Sequence, residues 1–257
     1  LYDAHRSNCP VLAIASTCPS DQFGTGYFQE TDPIRLFDDC SGYNQMAVTP
    51  AQFARMLPAA LQHAIHRRGA SGPLPSHGIY RPLDGELRQL AEMIGSAERI
   101  TVFCGIGARE AHDEVVRLAA MLKAPVAYTF KAKMEVQYDN PYEIGMTGLL
   151  GLPSAYGAMH ESDLLLLLGT DFPYDCFLPS ECRIAQVDIR PERIGRRARV
   201  ELGLVGDVKE TLQALFPMLR ERSDRVFLDR QLKIYGALCD DMAAVASKRG
   251  SAGNIAP

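Results

Sequence analysis

The sequence predicts an α/β fold: a parallel sheet with helices on both faces, preceded by a fragment of a second α/β unit. Three observations carry this. Leu164–Leu168 is a run of five leucines with no polar alternation, which suits a strand buried on both faces. From Leu87 onward, short apolar runs alternate with segments of helical periodicity, the pattern of a parallel sheet joined by crossover helices. Residues 69–82 are rich in Gly, Pro and Ser and separate this regular region from a less regular opening. The reading is a first unit over 1–72, a linker over 73–85, a Rossmann-like domain over 86–245 and a second linker over 246–257.

Taken in order, residues 10–15 contain Val11, Leu12 and Ile14 and read as a short strand, followed by a turn at Pro19, Ser20 and Asp21. Residues 24–30, Gly-Thr-Gly-Tyr-Phe-Gln-Glu, form a glycine-punctuated loop leading into Leu36 and Phe37. Thr49 as N-cap and Pro50 at the first helical position start a helix. Phe53, Met56, Leu57, Leu61 and Ile65 lie on one face of it. His63 and His66 sit three apart on the same helix; with no third ligand in sight they read as solvent-facing rather than as a metal pair. Past the linker, Leu87, Leu90, Ala91 and Ile94 recur at helical spacing. Residues 100–104 then make a strand, 105–108 a turn, 110–122 a helix and 125–129 the next strand. The leucine run is closed by Gly169 and Pro173, too soon for a buried helix. Residues 184–189 and 200–205 are strand-like, and 208–219 is a helix with Leu212, Leu215 and Leu219 on one side.

Composition narrows the class. Hydrophobic residues make up 47% and charged residues 23% of 257 residues, the profile of a globular protein. The net charge is −4 with no block of Lys or Arg, so no nucleic-acid footprint is expected. No apolar run reaches membrane-spanning length and no secretory leader is visible. The seven cysteines form no C-x-x-C pair and read as reduced thiols of a cytoplasmic protein. The chain opens on Leu1 and closes on a Gly-, Ala- and Ser-containing tail, so a segment of a longer protein is expected.

The carboxyl ends of the strands are where an open α/β sheet binds ligands. Gly105 and Gly107, between a strand and a helix, would let backbone N–H groups approach a phosphate. A tight strand–helix turn explains them equally well. The dinucleotide fingerprint is incomplete: Glu110 stands where its third glycine belongs, and no acid follows about 20 residues on. Asp188, near the end of its strand, is better placed to accept hydrogen bonds from ribose hydroxyls, with a loop-fixing role as the alternative. In residues 138–151, Gly145, Gly148 and Gly151 alternate with small and apolar residues, so the backbone can pass close to a large flat ligand.

At these motifs the chain resembles the flavin-containing branch of the thiamine-diphosphate enzymes, and within it the bacterial quinone-dependent pyruvate dehydrogenases (pyruvate oxidases). The matching stretches are 24–36, 138–151, 168–174, 186–189 and 205–207. The resemblance implies the end of a pyrimidine-binding domain, a complete central FAD-binding domain, and a linker to a diphosphate-binding domain. It assigns FAD contacts to Thr147, Gly148, Leu149, Leu150, Thr170, Asp171, Phe172, Pro173 and Tyr174. Asp188 takes the adenosine ribose, and Gly105 and Gly107 match the phosphate-side turn. Phe28 and Gln29 match a pair that borders the thiamine site. The implied reaction is oxidative decarboxylation of pyruvate, or a similar 2-keto acid, to acetate and CO2, with electrons passed through FAD to a quinone. A homo-oligomer is implied, cytoplasmic or peripheral to the inner face of the membrane. An acetolactate synthase, or a non-catalytic flavin- or nucleotide-binding module, remains the alternative.

Three departures from the family pattern bear on activity. The Glu that activates thiamine lies upstream of the matching stretches. The Gly-Asp-Gly…Asn motif that binds magnesium and diphosphate is absent, so no metal ligand is assigned and these 257 residues alone are expected to be inactive. Between Arg68 and Leu83 the family carries a strand and a long connection that this sequence is too short to supply, through a deletion or through missing residues.

Overall fold

A computed structural model describes residues 1–7, 9–28, 30–66 and 80–251. The chain divides into two compact units, Leu1–Gly78 and Ile79–Pro257. The boundary region 67–79, the tail 252–257 and Gln29 lie outside the described residues.

In the first unit the described elements are helices: α1 (Tyr2–Ser7), α2 (Pro33–Phe37) and α3 (Pro50–His66). The start of α3 follows its caps. Thr49 Oγ1 accepts from the Gln52 N–H at 3.2 Å, and Gln52 Oε1 accepts from the Thr49 N–H at 3.2 Å, a reciprocal capping box. The strand expected over 10–15 is not formed. Its backbone is irregular, and Val11, Leu12 and Ile14 are exposed. A β-branched run becomes a strand only where a neighbour takes its hydrogen bonds, and no strand pairs with it among the described residues.

The second unit is a six-stranded, wholly parallel sheet. Its strands are β1 (Ile100–Cys104), β2 (Val126–Tyr128), β3 (Glu143–Met146), β4 (Leu164–Leu168), β5 (Arg183–Asp188) and β6 (Leu202–Val205). The helices are α4 (Asp84–Ser96), α5 (His112–Leu122), α6 (Lys133–Val136), α7 (Pro153–Glu161), α8 (Val208–Leu215) and α9 (Val226–Ser251). The order β3-β2-β1-β4-β5-β6 reverses direction between β1 and β4, the topological switch point of a doubly wound fold.

The leucine strand shows why the sheet is covered twice. Leu164, Leu166 and Leu168 join one core cluster with Leu87 and Leu90 of α4, Leu118 of α5 and Leu212 of α8. Leu165 and Leu167 point the other way, into a cluster with Ala155, Ala158 and Met159 of α7. Side chains alternate across a strand, so an unbroken apolar run needs apolar cover on each side. Asp207 starts α8 by accepting from the N–H groups of Lys209 and Glu210. Helix α9 runs through 246–251, so the tail expected to be linker begins as helix. Among the described residues no helix is long and apolar enough to cross a membrane.

Candidate functional site

The parallel arrangement brings the loops that follow β1, β3, β4 and β5 to one edge of the sheet. Contact between the β1 and β4 loops is backbone to backbone. The Gly105 N–H donates to Leu168 O at 2.8 Å, and the Gly107 N–H donates to Gly169 O at 2.9 Å. A Cβ on Gly105 would lie 2.3 Å from Gly169 O and 2.5 Å from Thr170 Cβ; one on Gly107 would lie 2.7 Å from Gly169 Cα. Close packing of two turns therefore explains both glycines, and both amides already have protein partners.

The loop after β4 is built from mixed parts. Thr170 is buried and its carbonyl accepts from Gln186 Nε2 at 3.2 Å. Phe172 is buried edge-on against Phe103 with centroids 5.2 Å apart. Pro173 is exposed, and Tyr174 stands edge-on to Phe172. The loop after β3 meets these rings: a Cβ on Gly148, at φ +119, would touch the Phe172 ring at 3.4 Å and Tyr174 at 3.8 Å. Thr147 is buried, with its N–H on Tyr128 O. The next two side chains, Leu149 and Leu150, are 71% and 73% exposed. Two exposed leucines thus directly follow the glycine that meets Tyr174, placing apolar side chains at the strand ends, where a ligand would shed water.

Asp188 ends β5, where Val187 pairs with Leu168. Its side chain is 2% exposed. Oδ1 accepts from the Arg190 N–H at 2.9 Å. Oδ2 is buried with no hydrogen-bond partner. Burial pushes this carboxyl above its ordinary value, against the opposing pull of the Arg190 N–H and the Arg193 charge, and Asp171 adds to the rise. Buried carboxylate oxygens are normally satisfied. An acceptor left open beside the β4 loop fits a ligand that brings hydroxyl donors, as a ribose does.

Both carboxylate oxygens of Asp171 have arginine partners. Oδ1 accepts from Arg197 Nε at 3.1 Å and Oδ2 from Arg196 Nη1 at 3.3 Å. Gln186 entered the sequence reading only as the first residue of the 186–189 stretch, and Arg193, Arg196 and Arg197 were not singled out. The signal was there: five arginines between Arg190 and Arg199 directly after the candidate ribose acid.

In the first unit Phe28 is 80% exposed; its neighbour Gln29 lies outside the described residues. The loop before them is organised by Glu30, which sequence reasoning passed over. Its carboxylate accepts from the N–H groups of Gly24, Gly26 and Tyr27, and those bonds hold it below the usual carboxylate range. Gly24 and Gly26 adopt φ +80 and +72, so two left-handed glycines followed by an acid was the available clue. His63 Nε2 is buried without a partner, and its ring lies 5.9 Å from that of Tyr43. Among the described residues no three His, Cys, Asp or Glu side chains gather as a metal set.

Residues 87–215 match the family described as "Thiamine pyrophosphate enzyme, central domain". An uncharacterized 42.6 kDa protein of Pseudomonas amyloderamosa is 44% identical, over 91% of this chain and 65% of that protein. YdaP of Bacillus subtilis, provisionally named as thiamine pyrophosphate-containing, is 31% identical over 89% of this chain and 43% of its own length. A pyruvate oxidase of Lactiplantibacillus plantarum is 26% identical over 86% and 41%, and acetolactate synthases match at 27–29%. The chain thus spans less than two thirds of each of these relatives.

Proposed function

Since the chain belongs to the thiamine pyrophosphate enzymes and carries their central domain, we propose that this domain binds FAD along the carboxyl ends of its strands. We further propose that the full-length protein decarboxylates pyruvate oxidatively to acetate and CO2 and passes the electrons to a quinone. The observation that carries the flavin reading is the unpartnered Oδ2 of Asp188. It lies at the end of a central strand, where the adenosine ribose of a dinucleotide presents paired hydroxyl donors.

The chain's own residues divide the work. Asp188 accepts from the ribose. The Arg190 N–H fixes its other oxygen and so aims the carboxylate. Gly148 leaves the Phe172 and Tyr174 rings free of a side chain from the β3 loop. Leu149, Leu150 and Tyr174 offer the apolar surface against which a flat ring system can exclude water. FAD, when bound, supplies a two-electron acceptor that a quinone can reoxidise. On this reading, magnesium and the thiamine diphosphate group are held by parts of the full-length protein outside residues 1–257.

A second reading is a carboligase of the acetolactate synthase type, favoured by relatives of that name at 27–29% identity. The experiment that separates them uses the full-length protein with thiamine diphosphate, magnesium, FAD and pyruvate, without oxygen. Reduction of a quinone analogue in step with CO2 and acetate supports the oxidase. Acetolactate formed without acceptor reduction replaces it with the carboligase.

A further inference from the structure

The side chains of Asp171 and Gln186 both hold one segment, residues 190–197. Gln186, 4% exposed, donates from Nε2 to Thr170 O and Arg193 O, each at 3.2 Å, while its Oε1 accepts from the Gly195 N–H at 2.9 Å. Asp171, at 19% side-chain exposure, engages Arg197 and Arg196 with its two oxygens. Both therefore tie residues 190–197 back onto the loop after β4. The tied segment starts with Arg190, whose N–H orients Asp188, and includes Arg193, whose charge acts on Asp188.

We propose that Asp171, through its ion pairs with Arg196 and Arg197, is a positioning residue: a latch that holds 190–197 closed beside Asp188 and so sets how fast the cofactor leaves. This rests on the FAD reading above and departs from it in one respect, since Asp171 acts through the protein rather than on the cofactor. The Gln186 bonds are neutral and buried, and persist in salt. The Asp171 pairs are partly solvated, so ions screen them. Loosening a segment beside the bound cofactor acts mainly on dissociation, where most affinity changes within one complex fall.

The test uses full-length protein with Asp171→Asn, Arg197→Gln and the reversal Asp171→Arg/Arg197→Asp. Flavin release is followed after dilution at low and high salt, and amide hydrogen exchange of 190–197 is measured without flavin. Asp171→Asn is expected to speed release about tenfold with little change in association, to weaken the salt dependence expected of the parent, and to raise exchange in 190–197. Arg197→Gln should do the same to a smaller degree, because Arg196 remains, and the reversal should restore slow release. Unchanged exchange in both single variants overturns the latch whatever the flavin does. Faster exchange with unchanged flavin release overturns its role in cofactor retention. A parent protein that binds no FAD overturns the FAD reading instead, and exchange alone then decides whether the latch exists.

Discussion

Replacing Asp188 by Asn separates a structural role from a binding role with opposite signs. The parent side chain is 2% exposed, with one oxygen held by the Arg190 N–H at 2.9 Å and the other unpartnered. Burial raises its pKa above the ordinary 3.8. A carboxyl raised on folding binds its proton more tightly in the native state, so stability falls as pH rises through the window between 3.8 and the raised value. Above that window the ionised group is a constant burden on the cofactor-free protein. An unsatisfied buried polar group costs about 1–3 kcal/mol, and more when charged. Asn keeps the acceptor facing Arg190 and leaves only a neutral orphan, for a net gain of about 1 kcal/mol at pH 7. That corresponds to a melting temperature about 2–4 °C higher in a unit of this size. With FAD the sign reverses: losing a charged hydrogen-bond partner costs about 1.5–3 kcal/mol, a fall in affinity of about 10- to 150-fold. The assay is thermal unfolding at neutral and acidic pH, with and without FAD, together with a flavin titration. The stabilisation without FAD should fade as the pH is lowered through the window. A variant that melts lower at every pH and binds FAD unchanged would refute this reasoning and make Asp188 a loop-fixing residue.

Gly105→Ala should destabilise the second unit by about 2–3 kcal/mol, because its Cβ would overlap backbone that cannot retreat; a denaturant midpoint unchanged from the parent would contradict the 2.3 Å approach to Gly169 O. Arg222→Ala should cost about 2 kcal/mol in the same measurement, since the guanidinium donates to the carbonyls of Ile94, Ala97 and Glu98 at the end of α4, where a cation also suits the helix dipole. Residues 1–257 on their own should release no CO2 from labelled pyruvate with thiamine diphosphate, magnesium and a quinone analogue present. Turnover there would place the catalytic groups within these residues and contradict the expectation.

Much of the second unit was legible because its signals are local and continuous. The leucine run and the strand at 100–104 each carry their own cause within a few residues, as does the Thr49-Pro50 helix start in the first unit. Strand β3 was not: Glu143–Met146 is four residues long, opens on an acid and contains a glycine, so it has neither period nor an apolar run. It becomes a strand because β2 offers it a partner. The segment at 10–15 fails for the converse reason, having strand-forming residues but no neighbour among the described residues. The site shows the same division. Asp188 was readable as an acid at a strand end. That its Oδ2 lacks a partner, and that Asp171 meets arginines 25 and 26 positions away, depends on how β4 and β5 lie side by side. Gly105 and Gly107 were read as a phosphate-side turn or a tight turn, and the Gly169 backbone against them explains them through packing.

A flavin held at the carboxyl edge of this sheet is tested first by the identity of the bound cofactor. Full-length protein purified without added cofactor would be denatured, and the released small molecules identified by absorbance and mass spectrometry. FAD is expected in stoichiometric amount from the parent, with a marked loss from Asp188→Asn. Release of NAD or of an adenine nucleotide without flavin, or a protein that carries nothing and takes up no FAD when supplied, would contradict it.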